Sequence, residues 1–450
     1  MSGKKEKRLF GTNGVRGIVG KEMTPDLAMK IGMALASERS GTIAVGRDTR
    51  TSGPALTSAV KAGILACGCD VVDLGILPTP ALQYLVSRHF DAGAMITASH
   101  NPPEYNGVKA IDTDGTEMSD EESIRLEERI FGEDFAIRDW KGVGRETQAP
   151  HLVAEYIDAV VAAFPERAGD GMVVVVDPGS GPAAISTPEI LRRMGCRVHT
   201  INAQMDGTFP GRLPEPSPEG LINLAALVLE TGADFGVAHD GDADRAVFID
   251  EKGRYVEENE EFALIQRFVC RDRQGTVVTP VSTSRLAEAV AEETGCHVAY
   301  TPVGSIYVAR TMRAGGDGVV FGGEGNGGLI FPSHQYCRDG AMTAAAMVAL
   351  LAGNRPLSVL RGELPPHHMI REKIPTARAA EVLEGMKARY ADENLDFTDG
   401  VRLNRAGGWA LLRPSGTEPF MRLYVEAQQP EEAKALFGEL MAVIGELLHG

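Results

Sequence analysis

One pattern, written three times, governs what this chain can fold into. A β-branched run opens each copy: G-T-I-A-V-G-R-D from Gly41, G-M-V-V-V-V-D-P from Gly171 and G-T-V-V-T-P-V-S from Gly275. A turn and a helix-like stretch follow. Each helix ends on glycine and cysteine before a new strand, in G-C-D-V-V-D-L from Gly68, G-C-R-V-H-T-I from Gly195 and G-C-H-V-A-Y-T from Gly295. Glycine there is a helix-end signal, because a residue without Cβ turns left-handed at little cost, and a strand after it makes a βαβ unit. Cys69, Cys196 and Cys296 thus fall at equivalent places, where core packing is their simplest role. Each copy then has a second apolar strand opening into a loop: A-G-A-M-I-T-A-S-H-N-P, A-D-F-G-V-A-H-D-G-D-A-D-R and G-D-G-V-V-F-G-G-E-G-N-G-G. Ligands of open α/β sheets gather at the carboxyl ends of strands. Three such domains around a common cleft would bring three chemically different loops to one site.

The chain has 450 residues, too many for a single hydrophobic core. The expected fold is α/β: three similar α/β domains with mixed sheets around a central cleft, at 1–150, 151–252 and 253–365, plus a smaller α+β domain at 366–450. That last region reads differently. W-A-L-L-R-P-S-G-T-E-P-F-M-R-L-Y-V-E-A is two strands around a loop, and P-E-E-A-K-A-L-F-G-E-L-M-A-V-I-G-E-L-L is an amphipathic helix. A net charge of −17 argues against a nucleic-acid or anionic-membrane partner, both of which need a basic field. An anion must then be bound by local clusters and backbone N–H groups. The start, M-S-G-K-K-E-K-R-L-F, leads into no apolar run of the signal-peptide kind, and the apolar stretch Ala341–Ala352 is too short to span a bilayer and reads as a buried helix. Six cysteines in so long a chain make no disulfide scaffold, so a reducing cytoplasm is expected. Cys67 and Cys69 form C-x-C with no histidine cluster, a poor match to zinc spacing.

In D-G-D-A-D-R, Asp240, Asp242 and Asp244 are spaced by two, which in an extended segment points three carboxylates one way. Unpaired, such charges repel by several kcal/mol, and a divalent cation removes the conflict. An EF-hand fails on context: Arg245 stands at the position that needs glycine, and both flanks read as strands although Glu251 falls at the twelfth place. Three oxygens leave coordination positions open, as magnesium sites that use a substrate phosphate require, and Arg245 beside them favours a phosphate partner. The alternative is a solvated acidic turn.

The loop Gly323–Gly328 matches G-x-G-x-x-G, but L-I-F-P-S after it reads as a strand, whereas a dinucleotide fingerprint opens a helix. Its glycines suit close approach of backbone to a ligand, with Glu324 and Asn326 binding hydroxyls; a plain turn is the other reading. R-P-S-G-T-E-P combines Arg413, Ser415, Gly416 and Thr417, a set that suits a dianionic phosphate, with a type I or II turn as the alternative. A Walker A loop is absent. Ser99 ends a strand, where serine is commonly a cap, and it lacks a G-x-S-x-G elbow. It nevertheless holds the repeat position equivalent to the aspartate loop, with His100 and Lys109 near in sequence to move protons or neutralise charge. A serine beside a divalent metal and a phosphate clamp can take up a phosphoryl group and pass it on.

T-A-S-H-N-P, D-G-D-A-D-R, G-E-G-N-G-G and R-P-S-G-T-E-P, in that order, together resemble the phosphoserine, magnesium, sugar-binding and phosphate-binding loops of the α-D-phosphohexomutase family. The likeness runs from F-G-T-N-G-V-R-G at Phe10 to the C-terminal helix. It implies interconversion of hexose 6-phosphate and hexose 1-phosphate through a phosphoserine and a bound hexose 1,6-bisphosphate, which would also serve as activator. By this resemblance Ser99 carries the phosphoryl group and, with Asp240, Asp242 and Asp244, holds Mg2+. Arg245 steadies the phosphoserine, and Arg16, His100 and Lys109 line the reacting centre, with Lys109 expected to transfer protons. Glu324 and Asn326 grip the sugar, while Arg413, Ser415, Gly416 and Thr417 hold the distal phosphate. F-G-T-N-G-V-R-G and S-G-T-E-P-F-M-R look most like phosphoglucosamine mutases, so glucosamine 6-phosphate is the expected substrate and a phosphomannomutase or phosphoglucomutase the alternative. Many members carry G-E-x-S-G-H where this chain has Asn326 and Gly328, which resembles archaeal-type members and leaves the choice of sugar open. A magnesium-dependent sugar phosphatase and a non-catalytic sugar-phosphate binder are the remote alternatives.

Overall fold

The computed structural model describes residues 7–11, 14–415 and 420–449. In the first sheet, β1 (Val15–Ile18), β2 (Thr42–Arg47), β3 (Asp70–Ile76), β4 (Ala92–Ile96), β5 (Tyr105–Ile111) and β6 (Glu146–Gln148) lie in the order β1-β5-β4-β2-β3-β6. β2 pairs in parallel with β3 and β4, and β5 runs antiparallel to β4. The second sheet holds β7 (Val173–Asp177), β8 (Arg197–Thr200), β9 (Phe235–His239) and β10 (Ala246–Asp250) in the order β10-β9-β7-β8. Here β7 is parallel to β8 and β9, and β10 is antiparallel to β9. In the third copy β11 (Thr276–Pro280) is parallel to β12 (His297–Thr301) and to β13 (Val319–Glu324), after which the chain enters β14 (Gly328–Ile330). Every copy therefore sets its first strand between its second and third. The three glycines that close the crossover helices, Gly68, Gly195 and Gly295, all have positive φ, at 90°, 101° and 70°. The cysteine after each is buried, and all six cysteines are free thiols.

The fourth domain differs in kind. β15 (His368–Pro375), β16 (Asn394–Asp396), β17 (Val401–Arg405), β18 (Gly408–Pro414) and β19 (Phe420–Ala427) form an antiparallel sheet in the order β15-β19-β18-β17-β16. One face is closed by the helices Ala379–Arg389 and Pro430–His449. Leu436, Leu440, Val443 and Ile444 recur at helical spacing and are buried against Leu403, Leu412, Leu423 and Val425. The whole is a four-domain α/β architecture with mixed sheets and a smaller antiparallel last domain.

The chain divides into two compact units, residues up to 261 with 326–361, and residues 262–325 with those from 362 onward. The first unit contains the first two sheets. In its larger core Ile31 and Leu35 from helix Pro25–Glu38 and Val60 and Ile64 from helix Gly53–Ala66 pack on Ile43, Val45, Ala94 and Ile96 of the sheet. Each such fully buried aliphatic side chain contributes about 1.5–3 kcal/mol, which makes this sheet a firm base for the loops at its strand ends. The apolar run near residue 345 is the buried helix Gly340–Leu351. No described helix is long and apolar enough to cross a membrane.

Candidate active site

β4 ends at Ile96, and the next turn brings Ser99 into a left-handed backbone conformation, φ 49°, that non-glycine residues enter only at a cost. Ser99 is 2% exposed and its hydroxyl donates to Asp240 Oδ2 at 2.7 Å. Its N–H donates to Thr97 Oγ1 at 2.8 Å, and the Thr97 hydroxyl donates to Asp48 Oδ2 at 2.6 Å. His100 Nδ1 stands 3.5 Å from the Ser99 hydroxyl. The loop is thus built around the serine side chain.

The three aspartates follow β9, and one oxygen from each lies within 4.8 Å of the others. All three are buried. They converge through a turn, with Ala243 at φ 62°, and not through the alternation of an extended segment. The turn arises because the chain must reverse at once into the antiparallel strand β10. Lys109, on β5 and 1% exposed, donates to Asp242 Oδ2 at 2.8 Å and to Asp244 Oδ2 at 3.2 Å. Thr79 donates to Asp242 at 2.7 Å and Arg338 to Asp244 at 2.6 Å. The other oxygen of each of these two aspartates, Oδ1, is buried with no hydrogen-bond partner. Burial, then the charges of Asp244 and Asp242, push Asp240 up to about 7. Burial would raise Asp242 as well, but Lys109 and Thr79 hold it well below the usual carboxylate range. Two orphaned carboxylate oxygens beside a carboxyl group poised to take a proton fit a small dication that prefers oxygen ligands. Glu251, the residue at the EF-hand's twelfth place, instead binds the backbone N–H and hydroxyl of Ser358.

Cationic side chains surround the cluster. Arg245 donates through Nε to Asp240 at 3.3 Å and makes a bidentate pair with Glu215 at 3.1 and 2.9 Å. β1 pairs with β5 so that Arg16 lies opposite Gly107, two residues before Lys109. Arg16 Nη1 donates to Asn101 Oδ1 at 3.1 Å, while its Nε and Nη2 are buried without partners. Buried guanidinium N–H groups are costly to leave unmade, and here they suit an incoming anion. Against its burial, Lys109 is held above its ordinary value by Asp242 and Asp244, so its ammonium is firmly protonated. Loss of solvation and the charge of Arg245 push the half-exposed His100 ring below its ordinary value, which leaves it neutral at pH 7.

Of the residues expected at the site, Arg16, Ser99, His100, Lys109, Asp240, Asp242, Asp244 and Arg245 are gathered within the first unit. Asn326 also belongs to that unit, where its side-chain oxygen accepts from Gly328 N–H at 3.1 Å and closes a turn. Glu324 ends β13 in the second unit and is buried. Arg413, on β18 of the same unit, donates to Asp399 at 2.8 Å, and Ser415 N–H bonds to Phe420 O at 2.9 Å. Gly416 and Thr417 lie outside the described residues. Four contributors were not read from sequence: Thr79, Glu215, Arg338 and Arg50, whose Nη2 donates to the Ser99 carbonyl at 2.7 Å. Arg338 and Arg50 each had a signal. Arg338 stands in R-D-G directly before a buried helix capped by Asp339, and Arg50 follows the first strand of a repeat, at a carboxyl end like that of the named loops.

Models of the phosphoglucomutase/phosphomannomutase family match in sequence: alpha/beta/alpha domain I at residues 7–137, domain II at 154–253, domain III at 257–368 and the C-terminal domain at 369–443. A probable phosphoglucosamine mutase of Methanopyrus kandleri is 43% identical over 445 residues, covering 97% of this chain and 98% of the relative. A phosphoglucomutase/phosphomannomutase of Thermococcus kodakarensis is 42% identical over 461 residues, covering 98% and 100%. Among solved structures, a phosphoglucomutase/phosphomannomutase family protein from Burkholderia thailandensis superposes with a TM-score of 0.89 at 27% identity, covering 98% of each chain. With matches to all four domains and relatives aligned over nearly its whole length, the chain belongs to the phosphoglucomutase/phosphomannomutase family of phosphohexomutases.

Proposed function

We propose that the chain interconverts hexose 6-phosphate and hexose 1-phosphate through a phosphoryl group on Ser99 and a bound hexose 1,6-bisphosphate. The observation that carries the reading is the 2.7 Å bond from the buried Ser99 hydroxyl to Asp240, within a cluster of three aspartates and the cations Lys109, Arg16, Arg245 and Arg338. In the forward half, the phosphorus on Ser99 bonds to the free C1 oxygen of the hexose 6-phosphate as its bond to Ser99 Oγ breaks. The proton of that sugar hydroxyl ends on Ser99 Oγ. After the bisphosphate has turned over, its C6 phosphoryl group returns to Ser99 Oγ, and the proton goes back to the sugar oxygen. Lys109, an ammonium at rest, is the proposed proton-transfer group: it gives a proton to Ser99 Oγ and regains one from the sugar hydroxyl. Asp240, Asp242, Asp244 and Ser99 would hold Mg2+, which supplies neutralisation of the charge on the transferring phosphoryl group. Arg16 and Arg245 offer guanidinium N–H groups to that phosphoryl group, and His100, neutral, can accept or donate a hydrogen bond there. Glu324 and Asn326 are assigned to the sugar, and Arg413, Ser415, Gly416 and Thr417 to the distal phosphate. Holding the far phosphate fixes either end of the sugar in turn, which is catalysis by positioning.

We assign glucosamine 6-phosphate as the substrate, in line with the name of the Methanopyrus relative. The name of the Thermococcus relative favours mannose or glucose phosphates as the second reading. Phosphorus NMR with Mg2+ and a trace of glucose 1,6-bisphosphate decides, with glucosamine, mannose and glucose 6-phosphates offered separately. Fast formation of glucosamine 1-phosphate alone supports the assignment, and comparable rates on the other sugars transfer it to the second reading. Release of inorganic phosphate without any 1-phosphate would make the chain a phosphatase and overturn the mutase reaction.

A further inference from the structure

We propose that Arg50 is the positioning residue for Ser99, holding the serine loop at the geometry that phosphoryl exchange requires; the inference rests on reading Ser99 as the phosphoryl carrier. The Arg50 side chain is wholly buried. A guanidinium has five N–H donors in one plane, and here each finds one acceptor. Nε donates to Asp48 Oδ2 at 3.1 Å. Nη1 donates to the carbonyls of Pro102 and Tyr105 at 2.7 and 3.0 Å. Nη2 donates to the carbonyls of Ser99 and Asn101 at 2.7 and 2.6 Å. Four carbonyls from the span 99–105 thus turn inward onto a single cation. Without it these carbonyls, that of Ser99 fully buried and the others partly so, would face one another short of donors, and the loop would have to open.

The same residue ties that loop to its surroundings. Asp48, which receives Arg50 Nε, also receives the Thr97 hydroxyl, and Thr97 in turn receives the Ser99 N–H. The Arg50 guanidinium lies 5.2 Å from the centre of the Phe209 ring, and its backbone bridges Gly207. Ser99 is therefore gripped at its N–H through Thr97 and Asp48, and at its carbonyl by Arg50 directly. Those two grips hold it at φ 49° with the hydroxyl aimed at Asp240. Lysine cannot replace this arrangement, because its three donors are tetrahedral and its charge is concentrated at one atom. None of the contacts recorded for Arg50 is to the three aspartates, so it acts on the chemistry through Ser99.

The test follows the transfer itself, in which Ser99 Oγ gains phosphorus from glucose 1,6-bisphosphate while the sugar oxygen left behind takes the serine proton. Wild type, Arg50→Lys, Arg50→Ala and Thr97→Val are mixed with Mg2+ and glucose 1,6-bisphosphate, quenched in time, and Ser99 phosphorylation is read by peptide mass. Displacing the loop by about 1 Å predicts a rate lower by on the order of 100-fold in Arg50→Lys, with KM for the hexose phosphate unchanged. Added guanidinium should recover part of the rate in Arg50→Ala, a response that a loss of overall packing would not give. A wild-type rate in folded Arg50→Lys, or a loss confined to KM, overturns the proposal. If neither Arg50 variant folds, a wild-type rate in Thr97→Val overturns it instead, since that variant cuts the other grip on Ser99. Wild-type protein whose Ser99 takes up no phosphoryl group would remove the carrier reading, and this inference with it.

Discussion

Arg338 donates a 2.6 Å hydrogen bond to Asp244 Oδ2 across a separation of 94 residues, and both side chains are almost entirely buried. Asp244 sits with Asp242 on the same ammonium, Lys109, so Arg338 supplies a second neutralising charge that the cluster needs when no cation is bound. Breaking one side of a buried pair leaves an uncompensated charge, at a cost of about 3–5 kcal/mol. Arg338→Met should therefore melt well below wild type in chelator. Mg2+ should raise its melting temperature by more than it raises that of wild type, because the dication takes over the neutralising role. Equal magnesium shifts in both proteins would mean that the aspartates do not hold the ion.

Ser99→Ala removes the hydroxyl that meets Asp240, at a stability cost of about 1 kcal/mol, the net value of one ordinary hydrogen bond. Its effect on turnover should be of another order. Formation of hexose 1-phosphate from hexose 6-phosphate should fall to the uncatalysed baseline while Mg2+ still stabilises the fold. Residual mutase turnover near the wild-type rate would move the phosphoryl carrier to another residue.

Much of this could be read from the chain before any coordinates. The repeat betrayed its strand–helix–strand units because three glycines needed positive φ at one place, Gly68, Gly195 and Gly295. The loops of interest were legible because they share a strand-end position. What escaped was carried by single charged residues whose partners are remote. Their local setting places Arg50 and Arg338 beside the loops, but does not show that one will hold the carbonyl of Ser99 and the other a carboxylate of Asp244. The four-residue strand Val15–Ile18 was too short to show its alternation, though it is what brings Arg16 beside β5. The aspartate loop was read as extended because spacing by two is ambiguous between a strand and a tight turn; the left-handed Ala243 decides for the turn. Nor does the spacing show burial: Asp242 is fully buried and bonded to Lys109 and Thr79, so Asp242→Asn should cost stability as well as magnesium-dependent turnover.

Gly241 makes the two key loops touch. A Cβ built there would lie 2.3 Å from the Ser99 carbonyl oxygen and 3.1 Å from Pro214 Cβ. The first neighbour is backbone and cannot swing aside, so Gly241→Ala must push the aspartate loop away from the serine. Overpacking of this kind costs about 1–3 kcal/mol, which a chain of this size should survive folded. Separation of Ser99 from Asp240 should lower kcat by on the order of 100-fold with the sugar phosphate KM little changed. An active Gly241→Ala would show that the contact between the loops is dispensable.

His239 precedes the aspartate loop and sets a limit on acid stability. Its ring is fully buried, with Nδ1 2.9 Å from the Arg245 carbonyl and Nε2 without a partner. Burial, aided by Arg212, pushes it down to about 4 from an ordinary 6.5, against the opposing pull of the Arg245 carbonyl and Asp177. The neutral ring therefore donates from Nδ1. Between these two values the unfolded chain binds a proton that the folded one refuses, so this group's contribution is complete above pH 6.5 and is lost as pH falls toward 4. The full loss for a shift of this size is about 3 kcal/mol. Denaturant unfolding in chelator at pH 7, 5.5 and 4.5 should show wild type losing stability more steeply than His239→Asn, which carries no proton equilibrium in this range. Parallel pH profiles for the two proteins would mean that acid sensitivity resides in the carboxylates and not in this ring.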